Sequence, residues 1–374
     1  MNVIIVNCFD TYEERVDLLH AYFVSNGHKV TVIQSDFRHF KKVYRTEQKA
    51  DFLFVPSKPY YKNLSFSRMK SHYIFAKNAF KLVENNKPDL IYAIIPPNSI
   101  AKFAANYKKK NPKVKLIFDL IDLWPETMPI GKIKNFPPFS FWQSMRDKNL
   151  KYADFIISEC DLFRSILKDV LVNLKSFTLY LAKKEISYES IPNLSENEIH
   201  LCYLGSINNI IDIQKIKKTI EVIHRLKPTT IHIIGDGENR EKLMREVKET
   251  GASVEYYGKV YDYTEKQRVF DKCHFGINIM KDEVCVGLTM KSIDYFQGGL
   301  PIINNIQFDT ERLVNKYSVG INIMNDNIDI LASSICNLDI EKLLNMRKNA
   351  RKVFEKHFSV EGFNEVLDQY FTIY

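Results

Sequence analysis

Short apolar runs rich in β-branched residues alternate with helical patterns along the whole chain. The apolar runs occupy residues 3–8, 29–34, 52–55, 90–95, 115–120, 155–158, 177–181, 199–204, 230–234, 254–257, 276–280, 301–304 and 320–324. Helical patterns at 13–26, 67–85, 213–226, 240–250 and 342–357 lie between them. Continuous apolar strands that alternate with helices are typical of parallel sheets covered by helices on both faces. The sequence therefore predicts an α/β fold with two Rossmann-like, doubly wound domains.

A polar, turn-forming stretch at 182–198 separates the two sets of strands. We therefore expect a first domain at 1–185 and a second at 199–357. In two such domains the carboxyl ends of the strands line a shared cleft, which is the expected ligand site.

Composition limits the classes of function. The chain has 374 residues, 45% of them hydrophobic and 26% charged, as in soluble globular proteins. No apolar run approaches the roughly 20 residues needed to span a bilayer, and the first residues lack the basic region of a signal peptide. The six cysteines are scattered without a C-x-x-C pair, so we expect reduced thiols, no structural zinc and a cytoplasmic protein.

The net charge of +8 permits nucleic acid, a membrane surface or an anionic metabolite as partner. The lysine cluster at 108–115 has only Tyr107 as an aromatic neighbour. Binding of single-stranded nucleic acid needs aromatic platforms beside a basic groove. We therefore expect no nucleic-acid partner, and we predict that the lysines of this cluster are simply exposed to solvent.

The run at 287–303 combines a glycine, a threonine helix cap, a short helix and a Gly-Gly stop before a buried strand. The start of a helix presents free N–H groups and a positive dipole end to a phosphate, and Lys291 adds a full charge there. Asp294, one turn on, can accept hydrogen bonds from sugar hydroxyls. The ordinary alternative is an amphipathic helix whose lysine and aspartate are solvated.

This run resembles the nucleotide-sugar signature of GT-B glycosyltransferases, in particular retaining family 4, which contains many capsule and exopolysaccharide enzymes. Lys291, Asp294 and Gly299-Leu300-Pro301 occupy the positions of the family's Lys, Glu and Gly-x-Pro. Two departures are the aspartate in place of glutamate, and Val286 where the family often has a second glutamate. The resemblance implies that a helix at 358–374 returns to the first domain.

Three further turns resemble donor-site segments of that family: Gly205-Ser206 after one strand, Gly235-Asp236-Gly237 after the next, and Tyr257-Gly258-Lys259-Val260. Each alone is also typical of a plain strand end. The predicted donor-binding residues are Gly205, Ser206, Asn208, Gly235, Gly237, Lys259, Val260, Leu288, Thr289, Lys291, Ser292 and Asp294.

In the first domain, a buried strand ends at 118–126 with Asp119, Asp122 and a Trp-Pro turn. The run resembles the Asp-Leu-Trp-Pro-Glu segment of exopolysaccharide glycosyltransferases, although Ile121 stands where many relatives have His or Arg. Asp122, Asp119 and Lys291 are the candidate catalytic residues. The alternative for Asp122 is a cap of its own turn. The predicted acceptor-side residues are Asp10, Arg15, His39, Arg68, His72 and Trp124, with His39 expected as a surface or capping residue rather than a base.

Aromatic and basic residues cluster at 128–147. The composition suits an anionic membrane interface, and the alternative is a loop whose aromatics fold into the core.

These patterns together predict a retaining glycosyltransferase that moves a sugar from a nucleotide-diphosphate sugar, UDP-linked in the first instance, to a saccharide or lipid-linked saccharide in capsular or exopolysaccharide synthesis. We expect no metal and no other cofactor, and a cytoplasmic location that includes peripheral contact with the inner membrane leaflet. A GT-B sugar-nucleotide epimerase and a non-catalytic sugar-nucleotide-binding protein are the alternatives.

Overall fold

The computed structural model describes residues 1–62, 64–128, 130–186, 192–323 and 327–371. The chain divides into two compact units. The first contains Met1–Leu181 together with Val366–Tyr374, and the second contains Ala182–Glu365.

The first unit is built on a parallel sheet of seven strands. Its elements are β1 Asn2–Asn7, α1 Glu13–Ser25, β2 Lys29–Ser35, β3 Phe37–Arg38, β4 Val43–Tyr44, β5 Phe52–Val55, α2 Phe66–Asn86, β6 Leu90–Ile95, α3 Ser99–Lys110, β7 Lys115–Leu120, α4 Phe139–Leu150, β8 Phe155–Ser158, α5 Asp161–Ile166 and β9 Ser176–Thr178. The strand order is β5-β2-β1-β6-β7-β8-β9. This is the Rossmann order, which reverses between β1 and β6.

The second unit has a parallel sheet of six strands. Its elements are β10 Ile199–Leu204, α6 Ile213–Leu226, β11 Thr229–Ile234, α7 Arg240–Lys248, β12 Ser253–Gly258, α8 Tyr263–Phe270, β13 Phe275–Asn278, α9 Met290–Gln297, β14 Ile302–Asn304, α10 Asp309–Tyr317, β15 Gly320–Asn322, α11 Ile328–Cys336 and α12 Ile340–His357. The order β12-β11-β10-β13-β14-β15 again reverses beside the first strand, between β10 and β13.

The final helix, α13 Val360–Phe371, begins in the second unit, and its residues from Val366 onward belong to the first. There the Tyr370 ring stacks on Phe177 with 3.6 Å between centroids, and the Tyr22 hydroxyl donates to Asp368 at 2.8 Å. The expected return of the C-terminal helix is confirmed.

Both Rossmann-like sheets are confirmed, and most of the apolar runs form strands with buried side chains, although β12 and β15 contain no fully buried residue. The strand β6, for example, is buried along its whole length. The last residue of the run at 320–324 lies outside the described residues. The sequence did not predict the short antiparallel hairpin β3–β4, nor the helices α3, α4, α5, α8, α10 and α11.

All six cysteines are free thiols. Among the described residues, no helix has the length and hydropathy needed to cross a membrane.

Candidate functional site

The donor half of the candidate site lies where the sheet of the second unit reverses its strand order. Gly205 follows β10, and the segment after β13 leads into α9. In open α/β sheets, ligands bind at the carboxyl ends of the strands at such a reversal. The predicted donor residues Gly205 and Lys291 are therefore brought to the position where a ligand is expected.

The start of α9 is fixed by buried hydrogen bonds. The Thr289 hydroxyl caps the helix by accepting from the Ser292 backbone N–H at 3.2 Å, and it donates to Asn278 Oδ1 at 3.0 Å. The Asn278 amide donates to Ser292 Oγ at 3.0 Å. Further along the helix, the Tyr295 hydroxyl accepts from the Leu204 backbone N–H at 2.8 Å. These bonds join α9 to β10 and β13 and hold its N-terminus in place.

Lys291 has the most unusual environment in this half. The residue is 9% exposed, and its Nζ is buried without a hydrogen-bond partner among the described residues. The Nζ lies 4.6 Å from the centre of the Tyr203 ring. Burial lowers the pKa of the Lys291 ammonium to about 8. A buried cation without a hydrogen-bond partner is costly, so this arrangement suits an anionic ligand.

Two of the predicted glycines have a packing reason to be glycine. At Gly235, φ is +141° and an added Cβ would lie 1.9 Å from the Gly205 carbonyl oxygen. At Gly237, it would lie 2.4 Å from the Ile207 carbonyl oxygen. The turns after β10 and β11 therefore pack directly against each other, and this contact explains both glycines without a ligand.

Asp294, predicted to bind a sugar hydroxyl, lies in a cluster of ion pairs. Its Oδ1 is 2.9 Å from Lys183 Nζ and 2.9 Å from Lys266 Nζ. The ordinary alternative, in which the Asp294 carboxylate is solvated, is therefore wrong, because this carboxylate is ion-paired. The two lysines add positive charge beside α9, which suits an anionic ligand.

The other predicted donor residues differ in exposure. Leu288, Thr289 and Ser292 are buried, whereas Ser206 and Lys259 are exposed. Asn208 uses its side-chain oxygen within its own turn, accepting from the Ile210 backbone N–H at 3.1 Å. Val260 is half-buried.

In the first unit, Asp122 caps the turn that follows β7. Its carboxylate accepts from the Leu123 N–H at 2.8 Å, from Trp124 Nε1 at 2.6 Å and from the Thr127 hydroxyl at 2.6 Å. Burial raises the pKa of Asp122, and these hydrogen bonds oppose the rise. The capping interpretation is therefore the one that the geometry supports, and a catalytic role for Asp122 remains a prediction.

Asp119 and Arg15 need a correction. Asp119 is fully buried; its Oδ2 accepts from Arg15 Nε at 2.6 Å and from the Tyr92 hydroxyl at 2.8 Å, and its Oδ1 accepts from Arg15 Nη2 at 2.9 Å. Arg15 also donates to the backbone carbonyl of Leu179 at 3.1 Å. This pair joins α1 to β7 inside the core, so neither residue is placed to meet a substrate.

His39 and His72 are buried, which corrects the expectation that His39 lies at the surface. His39 Nδ1 is 3.1 Å from the Tyr60 hydroxyl, which is 3.3 Å from His72 Nε2. His39 Nε2 is 3.3 Å from Cys8 Sγ and 3.1 Å from the Ser35 hydroxyl. Burial lowers the pKa of His39 to about 3 and that of His72 well below its ordinary value. Both rings are therefore neutral at physiological pH, and neither reaches solvent as a base.

Cys8, His39 and His72 each offer a ligand atom, and these atoms lie within 4.8 Å of one another. A thiolate and two neutral imidazoles are the ligand types of zinc and of softer metals. This group can therefore hold a metal ion, and the expected absence of a metal remains a prediction.

The remaining predicted acceptor-side residues are Asp10, Arg68 and Trp124. The Asp10 carboxylate accepts from the Phe40 N–H at 2.7 Å and from the Lys41 N–H at 3.2 Å, and so fixes a loop. Trp124 is buried, and the Arg68 guanidinium carbon lies 4.4 Å from its ring centre. Arg68 rather than Trp124 therefore presents a polar group at this position.

The aromatic segment at 128–147 divides its aromatic side chains between the core and the surface. Trp142 is buried in α4, whereas Phe136 and Phe141 are 64% and 65% exposed. Lys134 is half-buried. The segment thus anchors one aromatic residue in the core and presents two others to solvent.

Sequence reasoning missed two residues that support the candidate sites of the two units. Arg146, buried in α4, forms a double ion pair with Glu126 at 2.6 and 3.0 Å and donates to the Trp124 carbonyl at 3.0 Å. The available sequence signal was an arginine, Arg146, that follows the acidic Trp-Pro turn and could pair with Glu126. Tyr203, whose ring lies below the Lys291 Nζ, is the second-last residue of β10. Nothing in the sequence distinguishes it from an ordinary core residue.

Residues 198–339 match the family model described as Glycosyl transferases group 1. No curated protein matches the sequence.

Solved structures resemble the whole chain. Sucrose-phosphate synthase from Thermosynechococcus elongatus has a TM-score of 0.70 at 12% identity, with 100% of this chain and 98% of that chain covered. The lipopolysaccharide outer core galactosyltransferase WaaB in its apo form has a TM-score of 0.67 at 13% identity, and Anabaena HepE in complex with UDP one of 0.66 at 13%, both with full coverage of each chain. At such identities the likeness is one of fold. The chain therefore has the GT-B fold, and its residues 198–339 match the glycosyl transferases group 1 family.

Proposed function

We propose that the protein transfers a sugar from a nucleotide-diphosphate sugar to a saccharide or lipid-linked saccharide. A UDP-sugar is the first candidate for the donor. We further propose retention of configuration and a role in capsular or exopolysaccharide synthesis. The observation that carries the proposal is the buried Nζ of Lys291, which has no hydrogen-bond partner among the described residues and stands at the start of α9.

Three other findings support this function. The family match spans the segment that holds Gly205 and Lys291. A structural neighbour, HepE, has been solved with UDP and with UDP-glucose. The lysines paired with Asp294 add positive charge to the same helix.

The chemistry we assign to this site is stabilisation of the leaving diphosphate. When the bond between sugar and phosphate breaks, negative charge grows on the phosphate oxygens. The Lys291 ammonium and the N–H groups at the start of α9 are fixed in advance and aimed at that charge. The leaving phosphate itself then takes the acceptor's proton, because His39 and His72 are buried and their lowered pKa values make both rings weak bases.

Thermal-shift screening with UDP, GDP and dTDP, alone and as sugar conjugates, tests the donor half. We expect a nucleotide to raise the Tm of the parent and of the control Lys218→Gln, whose side chain is exposed on α6. Lys291→Gln should bind that nucleotide about 10- to 150-fold more weakly, since a hydrogen bond to a charged group contributes about 1.5–3 kcal/mol. Equal nucleotide affinity in Lys291→Gln and the parent would remove the lysine from the site.

Product analysis separates the alternatives. A transferase releases nucleoside diphosphate from the matching donor when an acceptor is present, whereas an epimerase returns an altered sugar nucleotide. A non-catalytic binding protein gives a thermal shift and no turnover. NMR of the glycosidic product reports retention or inversion at the anomeric carbon.

A further inference from the structure

An apolar cavity of about 290 Å³ lies in the first unit, between the start of α2 and the start of α4. Its apolar lining includes Leu64, Phe66, Met69, Met128, Phe139 and Trp142. Volumes near 300 Å³ are at the lower end of those of small-molecule pockets. None of these six residues is among the donor-binding or acceptor-side residues named above.

One charged side chain, Arg68, lines this cavity. Its guanidinium carbon lies 4.4 Å from the centre of the Trp124 ring. The indole nitrogen of Trp124 in turn donates to Asp122 at 2.6 Å. The apolar cavity, the Arg68 guanidinium and the turn after β7 therefore lie next to one another in the first unit.

We propose that the cavity binds the hydrocarbon chain of a lipid-linked saccharide acceptor whose linkage contains phosphate, and that Arg68 binds that phosphate. This inference rests on the proposed function and names the acceptor class. Apolar walls favour a hydrocarbon chain, because burial of apolar surface contributes about 25 cal/mol per Å². A planar guanidinium is suited to two hydrogen bonds with a phosphate. A free phosphate would not use the walls, and a neutral hydrocarbon would not use Arg68.

The mouth of the cavity supports a long-chain occupant rather than a small enclosed one. Phe66 is 79% exposed and Leu64 is also exposed, although both line the cavity. Exposed apolar side chains at a rim allow a chain longer than the cavity to continue outward along apolar surface. The chain end that carries the phosphate lies inside, at Arg68.

The two tryptophans of the chain make the test direct. Trp142 lines the cavity, and Trp124 lies beneath Arg68, so intrinsic fluorescence reports on this site without a label. We would titrate the full chain with farnesyl phosphate below its micelle concentration, and separately with farnesol and with inorganic phosphate. We expect a saturable fluorescence change with farnesyl phosphate, at least tenfold weaker binding of farnesol, and no change with inorganic phosphate.

Matched variants assign the binding to the cavity. Phe66→Ser and Arg68→Gln should each weaken farnesyl phosphate at least fivefold. Phe40→Ser is the control, since Phe40 is 75% exposed and lies outside the cavity lining. Equal affinity in Phe66→Ser and the parent overturns the proposal, and so does an equal loss in Phe40→Ser, which would indicate general adsorption. Because Phe66 is a surface side chain, its variant keeps the test valid if Arg68→Gln does not fold.

A parallel measurement of nucleotide binding distinguishes failure of this proposal from failure of the proposed function. If UDP shifts the Tm and farnesyl phosphate does not bind, only the acceptor inference fails. If no nucleotide binds, the donor assignment fails, and the fluorescence titration still decides the cavity. Light scattering tests a second copy of the chain as the occupant: a dimer that Phe66→Ser dissociates, without farnesyl phosphate binding, would also overturn the proposal.

Discussion

Lys291, proposed above to bind an anion, illustrates how such a residue reduces the stability of the free fold. Its ammonium is buried beside Tyr203, and the lowered pKa, about 8 against an ordinary 10.5, reflects the cost of keeping it charged. One pH unit of difference in pKa corresponds to about 1.4 kcal/mol, so the charged form costs the free protein about 3 kcal/mol near neutral pH. An anionic ligand removes that cost when it binds.

Replacement of Lys291 by methionine should therefore have opposite effects on stability and binding. Methionine has similar length and no charge, so we expect the free protein to gain up to about 3 kcal/mol in unfolding free energy. The same variant should lose most of its affinity for the nucleotide. Urea denaturation and calorimetric titration measure the two quantities. A less stable variant with unchanged nucleotide affinity would identify Lys291 as a structural residue.

The pH dependence of stability provides a second test of the same lysine. The unfolded chain binds this proton up to its ordinary pKa of 10.5, whereas the folded chain releases it near 8. Between these values the unfolded state holds more protons, so this group's contribution makes stability rise with pH. We expect the parent to gain stability relative to Lys291→Met between pH 8 and 10.5. Parallel curves would show that the lysine keeps its ordinary pKa.

At the residue scale, the sequence predicted Lys291 because a helix start after a glycine is a local pattern. It did not predict the ion pairs of Asp294 with Lys183 and Lys266, because these residues are distant in sequence and come together only through the fold. Asp119 was misassigned for the same reason, because its partner Arg15 lies on α1.

At the scale of elements, α9 is the helix that positions the donor half. Its N-cap Thr289 is buried and also donates to Asn278, so Thr289→Ala removes a cap and leaves a buried acceptor without its donor. We expect a loss of at least about 1 kcal/mol in stability, together with weaker nucleotide binding. Asp262 is a matched control, because it caps α8 through the Glu265 N–H at 2.8 Å. Asp262→Ala should lose similar stability and keep nucleotide affinity; equal binding losses in both variants would indicate a global effect.

Most strands of the two parallel sheets were predictable because they are continuous apolar runs, and burial on both faces of a parallel sheet requires such runs. The helix α4 was not, because its residues Phe139–Leu150 mix aromatic, polar and basic side chains without a clear period. Its position depends on distant contacts, such as the bond from the Asn98 amide to the Trp142 carbonyl at 2.9 Å.

At the scale of the whole molecule, we predict that transfer does not need a divalent metal. Phosphate charge in the proposed mechanism is met by Lys291 and the start of α9 rather than by carboxylate-bound Mg²⁺ or Mn²⁺. Activity should therefore survive dialysis against EDTA. Metal content should be measured in parallel, since Cys8, His39 and His72 can hold an ion. Loss of activity that Mn²⁺ restores would contradict the mechanism.

We also predict peripheral binding to anionic membranes through the exposed side chains Ile133, Phe136 and Phe141. Trp142 is excluded from this test because it is buried, and its replacement would disturb the core. The three exposed residues should insert at the interface, and nearby lysines should attract the anionic surface, an effect that salt screens.

Parent and triple serine variant would be sedimented with phosphatidylcholine vesicles, with and without phosphatidylglycerol, at low and high salt. We expect the parent to bind the anionic vesicles at low salt, and the variant to lose that binding while it keeps nucleotide affinity. Binding of the variant equal to that of the parent would place the membrane contact elsewhere, with the exposed Lys109 and Lys110 at the end of α3 as the next surface to test.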